Sequence, residues 1–115
     1  MKKNILVFPC GSEVGLEVNR ALSYSTHFTL YGGNSVDDHG KFVYKNYIPG
    51  IPLIDKLNFI DEINRIVELY KIDFIIPAHD SAVLKMAENQ SIIKATVITS
   101  CAETSKLCRS KGATY

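Results

Sequence analysis

Three short clusters hold the residues of this chain whose types could do chemistry. The first is Cys10-Gly11-Ser12-Glu13, with Gly15 closing it. Backbone amides of a small-residue turn, backed by the positive end of a helix, could hold an anion or a carboxylate. The same dipole could lower the pKa of the Cys10 thiol. The second cluster is Pro77-Ala78-His79-Asp80-Ser81, where His79 and Asp80 could hydrogen-bond a ligand or move a proton. The third, Asp37-Asp38-His39, has metal-binding residue types. Each cluster also has a plainer reading. Gly11 can turn the chain while Gly15 lets a helix pack on a sheet. Asp80 or Ser81 can cap a helix, with His79 merely exposed. Cys10 can fill a small buried space, and no basic residue is near it in sequence to activate it. Loop polarity accounts for Asp37–His39.

For these clusters to meet, strands and helices must alternate. An apolar run at Ile5–Phe8 stops at Pro9 and reads as a parallel strand covered on both faces. Ser12 is placed to cap a helix over about Val14–Tyr24, with Val14, Val18, Ala21 and Leu22 on one face. A second strand at Phe28–Tyr31 is closed by Gly32-Gly33. Asn34–Lys41 reads as loop, and Phe42–Ile48 supplies a short edge strand near Asn46–Ile48, stopped by Pro49 and Pro52. Phe59, Ile60, Ile63, Ile66, Val67 and Tyr70 repeat at helical spacing, and Asn58 can cap that helix. A strand at Asp73–Ile76 follows, then a helix over about Ser81–Asn89 with Val83, Leu84 and Ala87 inward, then a strand at Thr96–Ile98. Ser100-Cys101-Ala102-Glu103 forms a capping box for a last helix reaching about Arg109.

This alternation predicts an α/β fold, a three-layer α/β/α sandwich on a mostly parallel sheet of four to five strands. With right-handed crossovers the first strand is central and the order is edge strand, second, first, third, fourth. Ligands lie at the carboxyl ends of such strands, where the strand order reverses. That mouth is formed by Pro9–Gly15 and Pro77–Ser81. The candidate substrate-binding set is therefore Cys10, Gly11, Ser12, Glu13, Gly15, His79, Asp80 and Ser81, with no catalytic and no metal-ligating residue assigned.

Several function classes lose support. The glycine turn is not the G-x-G-x-x-G dinucleotide fingerprint, and Tyr31-Gly32 stands where a ribose-binding acid belongs. No phosphate-loop motif G-x-x-x-x-G-K-[ST] occurs. A phosphorylated receiver domain needs an acidic pair where Pro9-Cys10 stands. Net charge is +1 without a basic block, so nucleic acid is not an expected partner. With 46% hydrophobic and 22% charged residues, the 115-residue chain reads as one soluble domain. No apolar run approaches the roughly 18 residues of a membrane helix, and the one after Met1-Lys2-Lys3 is shorter than the roughly 7–15 of a signal peptide. A cytoplasmic protein is expected. Its three cysteines fit that compartment. Cys101 and Cys108, on one predicted helix, would lie about 10 Å apart, beyond the roughly 7 Å reach of a disulfide.

Three segments, in order, resemble a known family. NILVFPCGSEVGLEVNRAL resembles the start of the pre-ATP-grasp domain of ligases like the carbamoyl-phosphate synthase large subunit. IDFIIPAHDSAVLKMAEN is similar to the strand–loop–helix with an iD-xx-iP-xxD pattern in the same proteins. VITSCAETSKLCRSKGATY is similar to the segment leading into the ATP-grasp module. Cys101 stands in place of the usual proline, Ser110 in place of the acid before Lys111, and Gly112 in place of an apolar residue. The resemblance implies an N-terminal domain that packs on a C-terminal ATP-grasp module, in the same or a neighbouring chain, and lines the acceptor-substrate pocket. ATP and magnesium would belong to the full-length protein, with no cofactor in this domain and no catalysis by it alone. The rival is a stand-alone Rossmann-like module binding a nucleotide or small metabolite; a docking domain without a small-molecule ligand is a third reading. An exposed edge strand could pair with a second copy in a homodimer. A membrane partner is not expected.

Overall fold

A computed structural model describes residues 2–36 and 40–98. The elements are β1 (Lys3–Phe8), α1 (Glu13–Leu22), β2 (Phe28–Gly33), α2 (Gly40–Val43), β3 (Asn46–Ile48), α3 (Phe59–Tyr70), β4 (Phe74–Pro77), α4 (Asp80–Glu88) and β5 (Thr96–Val97). The expected last helix, with Cys101 and Cys108, and the Asp37–His39 cluster lie outside the described residues.

The five strands form one sheet in the order β3-β2-β1-β4-β5, and every pairing is parallel. Leu6 stands opposite Tyr31 on one side and Ile75 on the other. β1 is central, as the crossover rule requires. Its two faces explain its unbroken apolar run. Leu6 and Phe8 join Ile75, Val97, α3 and α4 in one core. Ile5 and Val7 join Ile76, Val18 and Leu22 of α1, and Tyr44 after α2, in the other. Helices thus cover both faces, and the protein is a three-layer α/β/α sandwich. Phe8 and Phe59 meet with ring centroids 5.5 Å apart, tilted at 44°, a geometry aromatic pairs favour.

Four local expectations need correction. Residues 40–43 form a short helix where the sequence predicts loop and the approach to a strand. Val14 is 51% exposed, and the buried line of α1 runs through Gly15, Val18 and Leu22. In α4 the buried residues are Ala82 and Met86, four apart, while Leu84 is 63% exposed and Ala87 is exposed. A helix entered one residue earlier turns a different stripe inward, because each residue rotates the face by about 100°. Asn58 precedes α3 with φ −90° and makes no side-chain capping bond.

Candidate functional site at the strand carboxyl ends

The turn after β1 is tied down from three directions. The Cys10 amide donates to Gly33 O and to Asn34 Oδ1, each at 3.0 Å. The Ser12 hydroxyl caps α1, accepting from the Gly15 amide at 3.0 Å. Its single proton is shared between Ala78 O at 2.7 Å and Pro9 O at 3.1 Å. The Ala78 amide donates to Phe8 O at 2.7 Å. So the two strand ends expected to form the mouth, β1 and β4, are joined through Ser12 and Ala78. The Phe8–Pro9 peptide between them is cis.

Gly15 is a packing glycine. A Cβ there would lie 2.5 Å from Cys10 O and 2.9 Å from Pro9 O. Its own carbonyl accepts a 2.6 Å hydrogen bond from the buried Tyr44 hydroxyl. Tyr44 in turn packs on Gly32, where a Cβ would lie 2.5 Å from Tyr44 Cγ. Burial, and secondarily Cys10, push the Tyr44 phenol well above its usual pKa, so it stays a donor. Cys10 is fully buried in the core with Val18, Leu22 and Tyr44. The amides of Cys10 and Gly15 are therefore spent inside the fold.

At the facing end, His79 is the cap of α4, a role expected of Asp80 or Ser81. Its Nδ1 accepts from the Ser81 amide at 3.3 Å and lies 2.9 Å from Ser81 Oγ. The extended backbone at His79 (φ −154°) allows this, with its ring folded back onto the first turn. Asp80 is the first residue of α4, where its charge suits the helix dipole.

Beside this scaffold opens a cleft of about 430 Å³. Its lining is Phe8 and Pro9 from the end of β1, Asn34, Ser35 and Val36 from the exit of β2, Leu53, Ile54 and Asp55 from the following loop, and Ser81. The cleft thus lies at the carboxyl ends of the strands, where the sheet order reverses. Of the eight candidate binding residues, Ser81 lines it. Cys10 stands behind its wall, bonded to Asn34; Gly11, Ser12 and His79 belong to the adjoining turns, and Glu13, Gly15 and Asp80 to the first turns of α1 and α4.

Asn34 holds the cleft open, a role the sequence reading missed. Its side chain is 1% exposed. Oδ1 accepts from Cys10, its amide donates to Ile48 O at 3.2 Å, and its carbonyl accepts from Ile51 N at 3.1 Å. One residue therefore joins the ends of β1 and β3 to the 49–57 loop. The Ser35 hydroxyl adds a 3.0 Å bond to Pro52 O. The signal for the cleft was the apolar content of that loop: Ile51, Leu53, Ile54 and Leu57 sit among Pro49, Gly50 and Pro52 without helical or strand periodicity.

A second, smaller cavity of about 270 Å³ lies at the opposite pole, between α1 and the starts of β2 and β3; Lys2, Tyr24, Tyr44 and Lys45 help line it. Among the described residues, no three His, Cys, Asp or Glu side chains group so as to hold a metal ion. Arg20, Arg65 and Lys94 pair with Glu17, Glu62 and Glu68 on exposed surfaces. No helix among the described residues is long and apolar enough to cross a membrane.

Fold and cleft together define a parallel α/β domain with a ligand-sized pocket at its switch point. Compared with known proteins, the chain matches no family model and no curated relative.

Proposed function

We propose that this chain is the N-terminal, substrate-side domain of an ATP-grasp carboxylate–amine or related ligase, carbamoyl-phosphate synthase-like, and that its cleft takes part of the acceptor substrate. The observation that carries the reading is the apolar cleft of about 430 Å³ at the switch point, within the usual size of small-molecule pockets. The three ordered sequence segments support it. ATP and magnesium belong to an ATP-grasp module packed on this domain, where ATP activates a carboxylate for attack by the acceptor. This domain's own residues supply shape and dryness. Phe8, Pro9, Val36, Leu53 and Ile54 wall the pocket, and an apolar wall, once covered by the packed module, would keep water from a reactive acyl group. His79, capping α4, fixes the Ser81 hydroxyl at the rim.

Phosphoryl transfer needs cations and metal-held carboxylates around the phosphates. The isolated chain is therefore expected to release no phosphate from ATP and magnesium above background. Turnover that disappears in Asp80→Ala would show that the domain carries its own chemistry and would overturn the reading.

One observation favours the rival, a stand-alone metabolite-binding module: the ends of β1 and β2, the 53–55 segment and Ser81 converge on one cleft of ligand size. Calorimetric titration with NAD, NADP, ATP and S-adenosylmethionine separates the two. Micromolar binding of a dinucleotide by the isolated chain supports the rival.

A further inference from the structure

Asp55 is the one charged side chain lining the cleft among the described residues. It is exposed, at the edge of a wall made by Phe8, Pro9, Val36, Leu53 and Ile54. Val36 is 66% and Leu53 52% exposed, so two aliphatic side chains stand in solvent across the pocket from the β1 end. Exposed apolar residues converging on one concavity mark a binding surface more than scattered ones do. The remaining polar groups are already engaged. Asn34 Oδ1 is held by Cys10, Ser35 Oγ donates to Pro52 O, and Ser81 Oγ lies against His79 Nδ1. Among the described residues the pocket thus offers an apolar body site and one negative charge.

We propose that the cleft selects a ligand with an aromatic or branched aliphatic body and a cationic group at one end. The body packs on Phe8, Val36, Leu53 and Ile54, and the cation meets the Asp55 carboxylate. This refines the acceptor pocket of the preceding reading and rests on it for the ligand's role, though the binding itself does not need the ATP-grasp module. Body selection dominates. Removing a phenyl ring from water is worth far more than a solvent-exposed ion pair.

The test is titration of the chain, followed by amide NMR shifts, with four probes: phenethylamine, ethanolamine, phenethyl alcohol and hydrocinnamate. Phenethylamine should bind with a dissociation constant of about a millimolar, in keeping with its few heavy atoms. Phenethyl alcohol should lose about three-fold and hydrocinnamate about ten-fold. Ethanolamine, with the charge but no body, should bind weakest, about fifty-fold below phenethylamine. Asp55→Asn should bring phenethylamine to the level of the alcohol, and Leu53→Ser should weaken both. Both positions are exposed, and an unchanged melting curve shows that the variants fold. Equal binding of all four probes, tighter binding of hydrocinnamate, or no binding of phenethylamine would each overturn the proposal. Any of these results leaves the ligase reading to its own assay of ATP turnover.

Discussion

Two regions share the carboxyl end of the sheet and behave in opposite ways. The Cys10–Gly15 turn holds glycines, a serine and a cysteine, and its hydrogen bonds close on the fold itself. The 34–36 and 53–55 segments hold Val, Leu and Ile in loops, and some of those side chains stand in solvent. The residues that look chemical build the scaffold, and the residues that look like stray core line the cleft. A turn that is hydrogen-bonded to the end of the neighbouring strand is a fixed post. An apolar loop hung from that post by Asn34 is free to meet a ligand.

This contrast breaks most visibly at Gly15. Gly15→Val should lower unfolding free energy by about 3 kcal/mol or more in urea denaturation, because the new side chain meets the Cys10 and Pro9 carbonyls. Near-neutral behaviour there would mean that the turn yields, and it would no longer count as a post. Asn34→Ala should lose about 2 kcal/mol, since the buried Cys10 amide loses its bond to Asn34 Oδ1 while the backbone bonds of residue 34 to Ile48 and Ile51 remain. Ser12→Ala should cost about 1–2 kcal/mol, removing a helix cap and the bond to Ala78 together.

Tyr44 sharpens the same contrast through pH. Its folded pKa is raised above the unfolded value of about 10, so the folded state keeps a proton the unfolded chain gives up. Its contribution is present below pH of about 10 and declines as pH rises beyond it. Tyr44→Phe should lose about 1 kcal/mol at neutral pH, with the Gly15 hydrogen bond, and should fall less steeply in alkali. Parallel alkaline slopes for the two proteins would contradict this. The smallest effect is expected across the cleft. Val36→Ser should change stability by no more than about 0.5 kcal/mol while weakening apolar ligands, because its side chain is mostly in solvent.

The sheet was legible because its determinants are local and periodic. The apolar run at Ile5–Phe8, the glycine turn and the Phe59–Tyr70 repeat each name their element, and crossover handedness then orders the strands. Ser12 and Gly15 were legible for the same reason, since capping and close packing leave short-range signatures. His79 was misassigned because a histidine cap competes with the commoner Asp and Ser beside it. The strand ends that carry the cleft were legible, but most of its lining was not. Phe8, Asn34, Leu53, Asp55 and Ser81 are joined by sheet topology and by one buried asparagine rather than by spacing. Neither the stripe of α4 nor the helix at Gly40–Val43 is announced by its own residues.

The central claim is that ligands enter the apolar cleft and not the glycine turn. Amide chemical shifts mapped while phenethylamine and, separately, ATP are added to the chain test this directly. The expected result is a phenethylamine response centred on Asn34–Val36, Leu53–Asp55 and Ser81, with little change at Gly11–Gly15 from either compound. A saturable response centred on Gly11–Gly15 with ATP, and a silent cleft, would contradict it.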